Sequence, residues 1–163
     1  MKRILIMLAV ALLATACVTT QNDGLTKEQR KALKAQRVRE QLAERRYTIE
    51  VEQCYPRRAP ARRVDFGYSL TVSGDTLKSY LPYFGRAYHI PYGGGKGLHF
   101  TSIIDNYQQG LVKKGLTRIV IVTHNEEDIY QYTLEVFENG NSSIDVMSRQ
   151  REEIMFSGTM KTD

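Results

Sequence analysis

Apolar and polar residues change their spacing near Tyr47, which divides the sequence into a helical part and a β-rich part. Good helix formers dominate residues 25–46. Thr26 and Gln29 have the spacing of a capping box, which satisfies free backbone N–H groups at a helix start. The apolar positions of this segment form only a narrow stripe: Ala35, Val38 and Leu42. Residues 25–46 are therefore predicted to form a solvated stalk helix.

From Tyr47 onward, apolar residues alternate with polar residues, as in strands that bury one face. The alternation covers residues 47–52, 66–72, 130–136, 144–146 and 154–160. Residues 119–122 are apolar throughout and are predicted to form the most buried strand. The chain is therefore predicted to be mainly β (α+β). Residues 47–163 are predicted to form one antiparallel β domain of about seven or eight strands, as a curved sheet or a barrel-like meander.

Turn signals separate these predicted strands. Asn139 and Gly140 lie between two alternating runs, which is a strong hairpin signal. Gly74 marks a second turn, and residues 125–128 are predicted to form an exposed acidic turn. Residues 107–115 show no clear alternation and are predicted to be a short helix or a loop.

The N-terminal residues have the composition of an export signal. Two basic residues precede an apolar run over residues 4–14, which is too short to span a bilayer because a span needs roughly 20 apolar residues. Small residues and Cys17 follow, and residues 13–17 resemble a bacterial lipobox, in which the cysteine is acylated. We expect residues 1–16 to be a signal peptide and residues 17–24 a lipidated tether. Plain secretion is the alternative.

The charge and the cysteines refine this picture. The formal net charge is +5, but residues 17–46 carry a net +4 and residues 47–163 a net −1. The basic character therefore belongs to the N-terminal segment, which argues against nucleic acid binding by the β domain. If Cys17 is acylated, Cys54 has no partner within the chain and is expected to be buried.

The stretch from residue 80 to residue 100 is rich in tyrosine and glycine. Residues 93–97 suggest a phosphate loop, but the run ends in Gly97 where such a loop has Ser or Thr, and no nucleotide is expected. Tyrosine and arginine are the residue types of recognition surfaces. The candidate ligand-binding residues are Tyr83, Arg86, Tyr88 and Tyr92. The alternative is that the aromatic side chains cover an open end of the sheet.

The sequence contains no catalytic or metal-binding motif that we recognise. The spacings of the histidines match no zinc pattern, and no cofactor is expected. These histidines are His89, His99 and His124. A hydrolase would need two carboxylates, or a base and a nucleophile, in one cleft. The candidates near the aromatic stretch are Asp75, Asp105, His89 and His99.

Several short motifs point to one family. They are LPYFGRAY at residues 81–88, GLHF at residues 97–100 and FSG at residues 156–158. With these motifs the chain resembles the bacterial domain-of-unknown-function family 4251 (DUF4251) over residues 30–161, a family of predicted exported lipoproteins found chiefly in Bacteroidetes. The resemblance implies an exported cell-envelope protein with a small β-rich domain. It implies no catalytic residues.

These features lead to an expected function. We expect a non-catalytic envelope lipoprotein that binds a ligand or a partner protein. The expected partners are the membrane, through the lipid on Cys17, and a glycan or another envelope protein. Residues 18–23 hold one acidic residue, whereas surface export usually follows an acidic run, so the periplasmic face of the outer membrane is favoured. The alternatives are a glycan or lipid hydrolase and a purely structural envelope protein.

Overall fold

The computed structural model of the chain describes residues 24–88 and 97–162. The predicted signal peptide and Cys17 lie outside the described residues, and so do His89 and Tyr92. Among the described residues, no helix is long and apolar enough to cross a bilayer.

One helix and nine strands are described. The helix, α1, comprises Lys27–Ala43. The strands are β1 (Arg46–Pro56), β2 (Arg62–Arg63), β3 (Ser69–Ser73), β4 (Thr76–Leu81), β5 (Leu98–Lys113), β6 (Leu116–His124), β7 (Ile129–Phe137), β8 (Asn141–Ser148) and β9 (Ile154–Met160).

Eight of these strands form a closed antiparallel barrel. The order is β1-β3-β4-β5-β6-β7-β8-β9, and β9 pairs with β1 to close the ring. β2 is an extra short strand that pairs with β1 at Gln53 and Cys54. The predicted mainly β fold, with one helix and a barrel-like meander, is therefore confirmed. Closure pairs the edges of β1 and β9 that an open sheet would leave exposed.

The alternating pattern places one face of each strand inside the barrel. In β7, Tyr130 and Tyr132 are fully buried, whereas Gln131 between them is exposed. β6 follows the same rule, because Ile119 and Ile121 are buried and the valines beside them are partly exposed. Residues 119–122 were predicted to form the most buried strand, but only Ile119 and Ile121 of this run are buried. An outward valine contributes strand propensity without being in the core.

The C-terminal half of α1 packs on the barrel. Val38 and Leu42 are 1% and 2% exposed and belong to the barrel core. Arg39 forms an ion pair with Glu138 in the turn between β7 and β8, at 2.8 Å. This part of α1 is therefore not a solvated stalk, because two apolar residues four positions apart are enough to attach one helix face. It covers the barrel end that carries the β7–β8 turn.

β5 changes its partner halfway along its length. Residues 98–103 pair with β4, and residues 104–113 pair with β6, with a bulge between Ile104 and Asn106. Within the described residues, the first half of β5 therefore has no β6 neighbour and the second half has no β4 neighbour. The prediction of a helix or loop over residues 107–115 is wrong, because this segment holds the second half of β5 and the turn after it.

Cys54 points into the core. Its side chain is fully buried and forms no disulfide, which confirms the expected burial. Burial raises the pKa of the Cys54 thiol, and the nearby charge of Arg62 opposes this shift. The thiol is therefore a small hydrophobic group of the barrel.

Candidate functional site

Three of the predicted ligand-binding residues are described, and they lie in the segment that follows β4. Tyr83 is half-buried, Arg86 is exposed and Tyr88 is 67% exposed. Tyr92 lies outside the described residues. The proposal that this set contacts a ligand stays a prediction, and its members differ in what they do.

Tyr83 holds this segment against the chain before β9. Its hydroxyl donates a hydrogen bond shared by the carbonyl oxygens of Arg86 at 2.8 Å and Glu152 at 2.9 Å. The N–H of Tyr88 donates to the carbonyl oxygen of Gln150 at 2.7 Å. Burial, helped by the Glu152 carboxylate, raises the pKa of Tyr83 to about 12. Tyr83 therefore stays a neutral donor that positions the segment, while Arg86 and Tyr88 remain open to solvent.

Two ion pairs lie below this segment. Arg58 contacts the buried carboxylate of Glu152 at 2.9 Å, and Arg151 contacts Glu127 at 3.0 Å. The Arg151 side chain is almost fully buried, and its guanidinium lies 5.5 Å from the centre of the Tyr83 ring. These contacts connect three loops at one end of the barrel. A buried pair of this kind fixes geometry more than it adds stability.

The β6–β7 turn is tightly held and not fully exposed. Asp128 is 8% exposed, and its carboxylate accepts hydrogen bonds from the N–H groups of Ile129, Arg149 and Gln150, at 2.7, 3.3 and 2.9 Å. The Asn125 side-chain oxygen accepts two further backbone N–H groups of the same turn. The prediction of an exposed turn is therefore wrong for Asp128. These bonds make residues 125–128 a fixed wall.

An open groove of about 650 Å³ lies where β5 and β6 diverge. One wall is residues 99–103 of β5, and the other is residues 124–127 at the end of β6 and in the turn. Ile104 donates its N–H toward the β4 side, to the carbonyl oxygen of Asp75. The backbone N–H and C=O groups of successive residues in an antiparallel strand point to alternate edges. Those of His99 and Thr101 therefore point away from β4 and into the groove.

Three aromatic side chains form a stacked row beside this groove, and one of them, His99, lines it. The rings of Tyr68 and Tyr80 stack with centroids 5.3 Å apart, and those of Tyr80 and His99 stack at 4.4 Å. We call Tyr68, Tyr80 and His99 the aromatic row. Tyr80 stacks on both neighbours and is still 45% exposed. Phe100 points the opposite way and packs on Tyr130, as the alternation predicts.

The carboxylates and histidines proposed for a hydrolase do not converge. Asp75 lies 3.8 Å from Arg45, and His99 belongs to the aromatic row. Asp105 instead hydrogen bonds His124, with 2.7 Å between Oδ2 and Nδ1. His89 lies outside the described residues. Within residues 24–88 and 97–162, no group of three or more His, Cys, Asp or Glu side chains is arranged to hold a metal ion.

Comparison with known proteins identifies the family. The sequence profile described as Domain of unknown function (DUF4251) matches residues 29–160. The chain belongs to the DUF4251 family. A crystal structure of a DUF4251 family protein from Bacteroides eggerthii DSM 20697 aligns with a TM-score of 0.61 and 14% sequence identity. The alignment covers 80% of this chain and 89% of the Bacteroides eggerthii chain, and this similarity shows a shared fold. No curated protein shows significant similarity to the chain.

The family match confirms the resemblance seen in the sequence motifs. In this chain, Tyr83 of the LPYFGRAY segment ties that segment to Glu152. The groove and the aromatic row were not predicted from sequence. The sequence shows Tyr80 and His99 only as outward positions on two strands. The register between β4 and β5 places these two residues directly opposite each other. That register was required to bring them together.

Proposed function

We propose that this DUF4251 protein is a non-catalytic binding module of the bacterial cell envelope, whose ligand is a glycan. We further propose that an acylated Cys17 holds it at the outer membrane, on the periplasmic face. The observation that supports the binding role is the groove, which has His99, the end of the aromatic row, on one wall and the acidic turn on the other.

The chemistry of the groove suits a sugar. Next to the groove, the exposed part of the Tyr80 ring offers an apolar surface for the C–H groups of a pyranose ring. Glu126 is exposed on the opposite wall, where its carboxylate can accept hydrogen bonds from hydroxyl groups. Ile103 is 64% exposed and adds an apolar patch along β5. Such sites combine apolar contact with a few polar groups that fix orientation.

Replacing Tyr80 by alanine is expected to weaken glycan binding at least about tenfold, because an interface aromatic ring commonly contributes more than 1.4 kcal/mol. The measurement is calorimetric titration of the purified protein with envelope polysaccharide fragments. Phe137→Ala is the matched control, since Phe137 is an aromatic residue of β7 with a similar exposure of 41%. No binding by the wild type, or equal affinity in both variants, would contradict the proposal.

Replacing Cys17 by alanine is expected to move the protein from the membrane fraction to the soluble fraction. One acyl chain binds membranes only marginally, so stable anchoring requires the several chains of a mature lipoprotein. Fractionation and intact mass of the full chain, made in a Gram-negative host, provide the measurement. Cys54→Ala should remain at the membrane. A soluble wild type with the mass of an unmodified chain would contradict the anchor.

A hydrolase is the second candidate, and the Asp105–His124 pair favours it because a carboxylate can orient a histidine base. The nearby hydroxyls are already engaged. Thr123 donates to the carbonyl oxygen of Ile103 at 2.6 Å, and its oxygen lies 2.7 Å from that of Ser102. A hydrolase would therefore have to activate water. Glycan fragments recovered intact after incubation with the wild type support the binding role, and cleaved fragments support the hydrolase.

A further inference from the structure

The second half of β5 has an open strand edge. The last backbone bond on its β4 side is the one from the N–H of Ile104 to the carbonyl oxygen of Asp75, at 2.8 Å. Beyond it, residues 105–113 run along β6 on one edge, with bulges at residues 105 and 112, and have no strand partner on the other edge within the described part of the chain. We call residues 105–113 the β5 edge. Its side chains, except the half-buried Tyr107, are exposed.

The middle of the β5 edge, residues 106–112, lacks the charges and prolines that usually prevent strands from pairing. Proteins protect exposed edges with charged side chains, proline or a covering loop. Residues 106–112 contain no charge and no proline. Leu111 and Val112 are 73% and 47% exposed. The ladder to β6 is regular between its bulges, over residues 106–111. This edge is therefore available for addition of a strand.

We propose that the β5 edge pairs with the β5 edge of a second copy of this chain. The charges at its ends favour antiparallel self-pairing. Asp105 stands at one end, and Lys113 and Lys114 stand at the other. Antiparallel pairing brings the acidic end of each copy to the basic end of its partner, whereas parallel pairing would bring like charges together. Opposite charges across paired strands are favourable and like charges are not.

The side chains fit a two-fold axis at Gln109. Such an axis places Tyr107 of each copy opposite Leu111 of the other, which is a favourable aromatic–aliphatic pair. The Tyr107 hydroxyl donates to Gln109 Oε1 at 3.0 Å, so both side chains lie on one face of the strand. Leu111 shares this face by the period of two. Gln108 then faces the small Gly110 on the other surface.

The edge is also held in shape before it pairs. Tyr107 contacts the Tyr47 hydroxyl through its own hydroxyl at 3.3 Å, and the Arg45 guanidinium lies 4.3 Å from its ring centre. An edge fixed in this way loses little conformational entropy on association. A two-fold dimer uses the same patch on both copies and leaves no further β5 edge exposed, so the assembly stops at two.

The first test is the oligomeric state of the full chain, purified in detergent and measured by sedimentation. We expect a dimer in the wild type and at least a tenfold weaker dimer in Leu111→Lys, which places a charge at the pairing surface. Met147→Lys is the matched control, because Met147 is a 50% exposed apolar residue of β8 and this variant should remain dimeric. A monomeric wild type at about 100 μM would overturn the proposal.

The second test does not depend on how the lysine variant folds. Gln109→Cys should give a disulfide-linked dimer in an oxidising compartment, because the two copies of residue 109 face each other at a distance that a disulfide can span. Gln131→Cys, on the exposed face of β7, should not crosslink. Equal crosslinking at the two positions, or none at residue 109, would show that the β5 edges do not pair.

Discussion

Replacing Gly158 by alanine is expected to lower the free energy of unfolding by at least about 3 kcal/mol, and the melting temperature by roughly 10 °C. Gly158 lies in β9 opposite Val51, where β9 closes the barrel against β1. An added Cβ would lie 2.8 Å from the carbonyl carbon of Glu50 and 2.9 Å from the Cα of Val51, and closer still to the Glu50 carbonyl oxygen. These are backbone atoms, so relief requires the two strands to separate.

Thermal and urea denaturation of the two proteins measure this effect. Gly110→Ala is the control, since an added Cβ there has no heavy atom within 4 Å. We expect Gly110→Ala to change stability by no more than about 0.5 kcal/mol. If Gly158→Ala has the same melting temperature as the wild type, the close approach of β1 and β9 at this point is not part of the fold.

Replacing Leu42 by alanine is expected to cost about 2–5 kcal/mol, the range for truncating a buried leucine. Leu42 is 2% exposed and shares the barrel core with Val38. The loss has two parts, the removed apolar contact and the cavity that remains above the core. Urea denaturation followed by circular dichroism measures the difference.

Leu33→Ala is the matched control for this substitution, because Leu33 is a leucine of the same helix that is 36% exposed. We expect it to cost less than about 1 kcal/mol. Equal losses for Leu33 and Leu42 would mean that α1 does not cover the barrel through its buried stripe. Such a result would support the solvated helix that the sequence suggested.

The strands with one buried face were predictable from the sequence. β7 to β9 alternate apolar and polar residues, and Asn139 and Gly140 supply the hairpin signal between β7 and β8. Gly140 indeed has a positive φ of 84°. The pattern is readable because each of these strands separates a dry interior from water. The packing of α1 was harder to predict from the sequence, because only two of its residues, Val38 and Leu42, are buried.

The second half of β5 was not predictable in the same way. Every residue from Gln108 to Lys113 is exposed, so this part of the strand has no buried face that would require apolar residues at alternate positions. The prediction of an exposed acidic turn was wrong for Asp128 for a different reason. The Asp128 carboxylate is buried because it accepts hydrogen bonds from the backbone N–H groups of Arg149 and Gln150, about twenty residues away. The groove likewise depends on where two strands part, which is a property of register and not of composition.

The pairing of β1 with β9 determines when this protein can finish folding. Partners such as Ile49 and Met160 are separated by about 110 residues, nearly the full length of the barrel chain. The hairpins from β6 to β9 need only local contacts and can form early, whereas the ring requires its first and last strands together. A chain emerging from a ribosome therefore keeps an open sheet, with exposed edges, until β9 is released.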